Sequence, residues 1–534
     1  MRTGEPDEED ADHTGAAGSG RPEALGPVPR RTARWLLVAT APVMGMLVLD
    51  QTAVSVALPG IANELGAELS DLQWVLSAFA IGMVTALPLG GSLGDRFGRR
   101  RMVLTGLAVF ATSSAAASFA PDVLWLILAR VPQALGAAMM VPNAIAMLSL
   151  AYPPERQGRA IATWTGLAFI GLIAGPLVGG AVTDAVGWRG VFWFAPPLAL
   201  LSGTAILRLA PAIRPGRSAQ PFDVAGTITA SIALLLLTYT LIESGRTGWQ
   251  QPQLLLTGVL GLIALAGFLA IERRVAAPML DLRVFGNGAM AVTIVVATLV
   301  TSVMNTAFFF LSLYLQSVQR YSAGRAGLIL VAFTASVVIT SLVSGRFLDR
   351  FGVRRPMLTG LAALSTAMIA MAGLMHSERF GALFLTMLVL GGCGIGVLQA
   401  SETTGVMLLA PKGRSSVASA ILSTGRQLGS IVGIAVLGTV SELYIQRRAI
   451  SELDQLVGAS DAQQVASEAA AGRVVDLRGL VEPETVSQVQ SIITTAQSSG
   501  YGLVLLVAGL VLASAWLLTQ RRLGYPAVDG KEPA

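Results

Sequence analysis

This 534-residue chain lacks most of what a soluble enzyme of its length carries. One cysteine, Cys393, excludes an internal disulfide framework. Two histidines, His13 and His376, leave no His-rich metal site, so neither a metal nor a cofactor is expected. The only lysines are Lys412 and Lys531, and no GxxxxGK[ST] stretch occurs, so the chain has no ATP-binding P-loop of its own. Charged residues make up 13% against 53% apolar, too few to cover a soluble protein of this size. The net charge of +5 does not point to nucleic acid, because the arginines punctuate apolar runs instead of lining one polar face.

What the chain does have is apolar runs of about 20 residues, the length that crosses a bilayer as a helix. They fall near 35–59, 72–94, 102–119, 123–150, 160–183, 190–208, 223–243, 253–272, 289–315, 325–347, 356–375, 380–410, 416–441 and 500–519. Fourteen helical spans make this an all-α integral membrane protein, since backbone groups in hydrocarbon must bond internally. Residues 1–34 open with an acidic run, continue through Gly, Ala and Pro and end on Arg30, Arg31 and Arg34, which reads as a disordered tail and not a signal peptide. Residues 520–534 form a second tail.

Orientation follows from where cations fall. The loops after spans 2, 4, 6, 8, 10 and 12 hold eighteen: Arg96, Arg99, Arg100, Arg101, Arg156, Arg159, Arg208, Arg214, Arg217, Arg273, Arg274, Arg283, Arg346, Arg350, Arg354, Arg355, Lys412 and Arg414. The short loops after spans 1, 3, 5, 7, 9 and 11 hold five: Arg189, Arg246, Arg320, Arg325 and Arg379. Both termini are therefore expected in the cytoplasm of a multi-pass protein of the cell membrane. The connection 442–499 then lies outside, with eight acids, four arginines and Ala-rich stretches suited to short surface helices.

One cytoplasmic loop is written twice. GSLGDRFGRRRMVLTGLA at 91–108 and GRFLDRFGVRRPMLTGLA at 345–362 match at twelve of eighteen positions when Asp95 is set on Asp349, an offset of 254. The same offset carries Gly171, Gly175 and Gly179 onto Gly425, Gly429 and Gly433. Two six-helix bundles, 35–209 and 284–519, are expected on either side of an inserted pair of helices within 210–283.

GSLGDRFGRRRMVL resembles the loop motif of the major facilitator superfamily. LDQTAVSVALP at 49–59, LILARVPQALGAAM at 126–139 and GLIAGPLVGG at 171–180 are similar to the first-, fourth- and fifth-helix motifs of its fourteen-helix drug:proton antiporters. The resemblance covers residues 35–520. It implies the major facilitator fold, alternating access by two bundles, and export of amphipathic drugs or antibiotics driven by proton entry, with the proton, the drug and the lipid bilayer as partners of a functional monomer. A dedicated exporter of one metabolite, an importer or a facilitator would share this architecture. A membrane-embedded sensor or enzyme is the remote alternative, because no convergent nucleophile or metal set appears.

The motifs also read physically. In the loop, Gly91 and Gly94 permit close helices and Gly98 a tight turn. Asp95, with Arg96, Arg99 and Arg100, forms a charge latch besides fixing topology, and Asp349, Arg350 and Arg354 repeat it. Gly171, Gly175, Gly179 and Gly180 with Pro176 make a bendable seam, the antiporter hinge. An ionisable group within a span usually faces a partner or a cavity. Asp50 and Arg130 lie roughly 14 and 10 Å from the same side at about 1.5 Å per residue. They suit proton coupling, unless they form a static pair or Arg130 snorkels. Glu402 and Arg426, roughly 12 and 15 Å from the other side, form either a structural ion pair or a substrate or proton site. Glu243 and Glu272 sit near span ends and read as interfacial. For a large amphipathic compound, the cavity-wall candidates are Trp74, Met139, Asn143, Trp164, Asn305, Phe309, Tyr314 and Gln399, each of which would serve equally as core or lipid-facing packing.

The cation bias makes a direct prediction. In a Cys393→Ser background, Ala459→Cys is labelled by an impermeant thiol reagent from outside intact cells and Ser218→Cys is not. Labelling at 218 from outside would overturn the fourteen-span order.

Overall fold

The computed structural model describes residues 30–210, 223–275, 287–375, 381–410, 415–473 and 485–522. Both terminal tails lie largely outside this set, as do Arg214, Arg217, Ser218, Arg283, Arg379, Lys412 and Arg414. The helices are α1 (Arg30–Leu65), α2 (Leu69–Phe97), α3 (Arg99–Ser118), α4 (Val123–Ala151), α5 (Pro154–Val186), α6 (Ala195–Leu209), α7 (Val224–Thr247), α8 (Pro252–Glu272), α9 (Gly288–Leu313), α10 (Ala323–Phe351), α11 (Arg354–Leu374), α12 (Ala382–Leu409), α13 (Ser415–Val457), α14 (Ala459–Ala470) and α15 (Val486–Arg522). A 3-10 segment, Trp188–Phe194, leads into α6, and Tyr314–Val318 ends α9 as one π turn.

Among the described residues, thirteen helices are long and apolar enough to cross a membrane. The expected span that does not qualify is α3, which opens on Arg99, Arg100 and Arg101 and is rich in Ser and Ala. It nevertheless packs within the first bundle against α4 and α6.

The repeat is realised as two equivalent bundles. α1 packs on α5, α2 on α4 and α3 on α4, and the same pairings recur as α9 on α13, α10 on α12 and α11 on α12. The two copies of the basic turn fold alike. Gly98 and Gly352 both stand at positive φ, 98° and 68°, where a side chain would be strained. Arg100 donates to the Leu207 carbonyl on α6, and its counterpart Arg354 donates to the Gln520 carbonyl on α15 at 2.7 Å.

Two seams join the bundles: α5 against α10, and α2 against α13. The inserted hairpin α7–α8 covers the second, with α7 lying on both α2 and α13. We call the end where α1 starts and α15 finishes the terminus face, and the opposite end the distal face. On the distal face the Asp184 carboxylate of α5 accepts from the Gly324 N–H in the first turn of α10 at 2.9 Å. An anion at a helix N-terminus is favourable in both charge and hydrogen bonding. Nearby, the Gln316 amide donates to the Val56 carbonyl of α1 at 2.9 Å.

Within 442–499 the Ala-rich stretch forms the short helix α14, as expected, but the flanking spans run further than expected. α13 runs on to Val457 and α15 begins at Val486, so the helices extend well beyond the hydrophobic spans that end at 441 and start at 500. At 43 residues α13 is about 64 Å long, roughly twice the hydrocarbon core. The extension is held by α14, whose Ala462, Val465, Ala466 and Ala469 are buried in contact with α13 and α15. Hydropathy marks where the membrane ends, not where an amphipathic helix ends.

Candidate functional site

The charged centre of the first bundle assembles from α1, α2 and α4. Asp122 caps α4 by accepting from the Trp125 N–H at 2.7 Å, and two turns on, Arg130 points inward. Its Nη1 donates to Asp50 Oδ2 on α1 at 2.6 Å and to Gln133 Oε1 at 2.8 Å. The Gln133 amide returns to Asp50 Oδ1 at 2.9 Å, closing a three-residue ring. Arg130 Nε donates to the Val75 carbonyl of α2 at 3.2 Å, and its guanidinium carbon lies 4.4 Å from the Phe79 ring centroid. Arg130 and Gln133 are 1% and 0% exposed and Asp50 is 6% exposed, so water does little to hold these charges.

Each Asp50 oxygen accepts one hydrogen bond, Oδ1 from the Gln133 amide and Oδ2 from Arg130. The ring joins α1 to α4, with α2 tied in through the Arg130 bond to the Val75 carbonyl. Sequence reasoning found Asp50 and Arg130 but not Gln133 or Phe79. The available signal for Gln133 was its place three residues after Arg130, on the same helix face.

The glycine stripe of α5 faces this centre from behind. Gly171 abuts the Gly45 backbone of α1, Gly175 abuts Thr52, and Gly179 abuts Ala53, with no room for a Cβ at any of them. Pro176 and Gly180 present the other side: Gly180 lies on the Ala323–Gly324 backbone of α10, and the Pro176 carbonyl lies on Gly327. The expected hinge residues thus sit where α5 touches both bundles, and α5 itself is continuous through Pro176. Gly425, Gly429 and Gly433 pack α13 onto Ile294, Thr298 and Ser302 of α9 in the same way.

The expected latch residues stay within their own bundle. Asp95 pairs with Arg99 at 2.9 Å, Arg99 reaches the Ala146 carbonyl of α4, and Arg96 lies over Phe97. Gly94 leaves room for the Asn143 side chain, and Gly91 has open space around it. In the second copy, Asp349 and Arg350 are exposed at the end of α10, with Arg350 over Phe351.

A family model described as Major Facilitator Superfamily matches residues 40–434. The chain belongs to this superfamily. It is 30% identical over 493 residues to the "Tetracenomycin C resistance and export protein" of Streptomyces glaucescens, covering 91% of each chain. It is 33% identical over 430 residues to the "Multidrug resistance protein Stp" of Mycobacterium tuberculosis, covering 80% of this chain and 79% of that one. Among solved structures, the inward-facing, unoccupied form of a bacterial homologue of the human lysosomal transporter Spinster superposes with a TM-score of 0.66 at 16% identity, over 93% of this chain and 98% of that one. This superfamily member is a multi-pass membrane transporter and not an enzyme.

The cavity-wall candidates separate into two groups. Trp74 packs on Tyr239 of α7, and Trp164 donates to the Thr40 carbonyl at 3.0 Å. Phe309 meets Phe310 edge-on, and Tyr314 stacks on Phe384. Asn143 is buried and donates to Gly90 and Met139 carbonyls at 2.8 Å, clamping α2 to α4. Protein neighbours enclose Trp164, Phe309, Tyr314 and Asn143. Trp74, Met139, Asn305 and Gln399 are half-buried, on α2, α4, α9 and α12.

Gln399 leads to the charged pair of the second bundle. Arg426 Nη2 meets Glu402 Oε2 at 2.9 Å, the Gln399 carbonyl at 3.2 Å and Thr403 Oγ1 at 3.2 Å. Glu402 is fully buried and its Oε1 has no hydrogen-bond partner, whereas the Arg426 side chain is 26% exposed. The pair is formed but, unlike the Asp50 ring, is not saturated.

This asymmetry predicts unequal losses. Arg426→Leu strands a carboxylate that no water reaches and costs about 3–5 kcal/mol, the usual result of breaking a buried pair. Glu402→Gln strands a guanidinium that water partly solvates and costs less. Glu402→Gln with Arg426→Leu recovers most of the loss in a thermal-unfolding cycle. Additive losses would remove the structural bridge.

Proposed function

We propose that this transporter exports amphipathic drugs or antibiotics across the cytoplasmic membrane in exchange for protons, as a single chain with both termini in the cytoplasm. The observation that carries the coupling is the buried Asp50–Arg130–Gln133 ring. The names of the relatives, a tetracenomycin C export protein and a multidrug resistance protein, support the substrate class.

Asp50 serves as the proton carrier and Arg130 as its regulator. With Asp50 ionised, the ring holds α1 and α4 together. With a proton on Asp50, Arg130 loses its charge partner and the helices adopt a different packing. Drug and proton need not share atoms; each need only favour the opposite bundle arrangement, which makes their binding mutually antagonistic. With the distal face joined through Asp184 and Gln316, the drug enters from the terminus side, and its contacts are assigned to Met139, Asn305, Gln399 and the partly exposed Arg426, a reading their half-burial supports.

Asp50→Asn should abolish uphill drug transport driven by an imposed pH gradient in inside-out vesicles while drug binding persists. Arg130→Lys should not restore coupling lost in Arg130→Ala, because an ammonium cannot reproduce a fork that reaches Asp50, Gln133 and Val75 together. Undiminished pH-driven uphill transport by Asp50→Asn would remove Asp50 as carrier and turn attention to Glu402.

A further inference from the structure

We propose that Glu442 is a second protonation site, placed where α2, α7 and α13 meet on the distal face, which holds its proton while that face is closed and thereby links closure to the proton supply on that side. The placement follows from the register of the α2–α13 seam. Gln427 lies 3.3 Å from Met83, Ile431 packs on Ala80, Ile81 and Val84, and Gly438 has its Cβ position occupied by the Gln73 amide. One turn beyond Gly438, Glu442 lies within electrostatic reach of Glu68 and Asp71 at the start of α2.

The α7 side of the junction is shaped around this carboxyl. A Cβ on Gly245 would lie 2.6 Å from Glu442 Oε2, and the Thr439 hydroxyl donates to the Leu241 carbonyl at 2.5 Å, fastening α7 to α13. Glu442 is 2% exposed. Its Oε1 receives a long bond from the Gln446 amide at 3.4 Å, and its Oε2 has no hydrogen-bond partner.

The charges facing this group are Glu68, which caps α2, Asp71 on α2, and Glu243 and Arg246 on α7. Arg246 is taken by Glu243 and lies 3.8 Å from Glu68. Arg473, which follows α14, lies 3.8 Å from Glu468 and donates to the Gly66 carbonyl, and Arg448 of α13 pairs with Glu452. Among the described residues no cation lies within ion-pairing distance of Glu442. A bare carboxylate oxygen in this position would be desolvated among like charges, whereas the neutral acid needs no counter-ion. Glu68 itself, half-exposed before α2, feels the same acids: burial pushes its carboxyl up, Arg246 opposes this, Asp71 and Glu243 add to it, and Arg473 opposes it.

A polar track leads inward from the junction. The Gln73 amide and the Ser77 hydroxyl, one turn apart on α2, are buried without hydrogen-bond partners along the same seam. Such groups are ordinarily satisfied by ordered water. Parting of α2 and α7 from α13 would hydrate Glu442, release its proton and set it against Glu68, Asp71 and Glu243, which holds the distal face open. Reprotonation from the distal side would let the seam close.

The test uses the full chain reconstituted in lipid nanodiscs, with hydrogen ions as the only ligand. At neutral pH the infrared spectrum should contain the carbonyl stretch of a weakly hydrogen-bonded protonated carboxylic acid, lost in Glu442→Gln and kept in Asp50→Asn. Two exposed distal positions, one per bundle, report the opening: spin labels on Pro121→Cys, between α3 and α4, and Ser451→Cys, on α13, in the Cys393→Ser background should move apart as pH rises. Glu442→Gln should abolish that shift. A band that survives Glu442→Gln, or an unchanged pH-dependent shift in that variant, would overturn the proposal. Should Glu442→Gln fail to fold, Glu442→Asp carries the same test: the band should change position, and an unaltered band contradicts the proposal. Neither readout requires a transported compound, so their failure would leave the Asp50 reading standing.

Discussion

A guanidinium inside a bilayer must be met on all sides, and the first bundle is organised around doing this for Arg130. Its charge is answered by Asp50, Nη1 also reaches Gln133, Nε reaches the Val75 carbonyl, and its face lies on Phe79. These partners come from α1, α2 and α4, so one side chain fixes three helices relative to one another. The close approach of α5 to α1 through Gly171, Gly175 and Gly179 supports the α1 side of the same centre. Asp50 is therefore bound into the contact of α1 with α4.

The two bundles share a scaffold and differ in chemistry. The offset that carries the glycine stripe of α5 onto α13 carries Arg130 onto Phe384, and there Tyr314 stacks on the ring with centroids 5.9 Å apart. The second copy thus fills with an aromatic pair the position where the first places a charge. Its own ion pair, Glu402 with Arg426, stands on α12 and α13 and reaches partial exposure. The seams differ as well. α5 meets α10 backbone to backbone with Asp184 seated on a helix start, while α2 meets α13 through side chains, Gln73 on Gly438, Met83 on Gln427 and Ala80, Ile81 and Val84 on Ile431. The α7–α8 hairpin lies on the second seam, which gives the inserted helices a part in the interface between bundles.

Much of this was legible in the sequence because membrane proteins write certain constraints plainly. A repeated GxxxDRFGxRR turn with a positive-φ glycine in each copy announced the two bundles, and charges isolated in apolar runs marked Asp50, Arg130, Glu402 and Arg426. What stayed hidden was neutral or terminal. Gln133 completes the ring but carries no charge to flag it, and Asp184 lies at the end of a span, where an acid is unremarkable. The helical extension through α14 was invisible to hydropathy, since its alanines are buried by α13 and α15 and not by lipid. Trp164, Phe309 and Tyr314 show the complementary limit: residue type alone does not separate an aromatic that lines a cavity from one packed against other side chains.

The central claim is that drug binding and protonation of Asp50 exclude one another through the packing of α1 and α4. It is tested most directly by adding an exported drug to the purified protein in weakly buffered detergent and reading proton release with a pH indicator. The account predicts release from the wild type and from Glu402→Gln, and none from Asp50→Asn despite retained binding. Undiminished release from Asp50→Asn would contradict it.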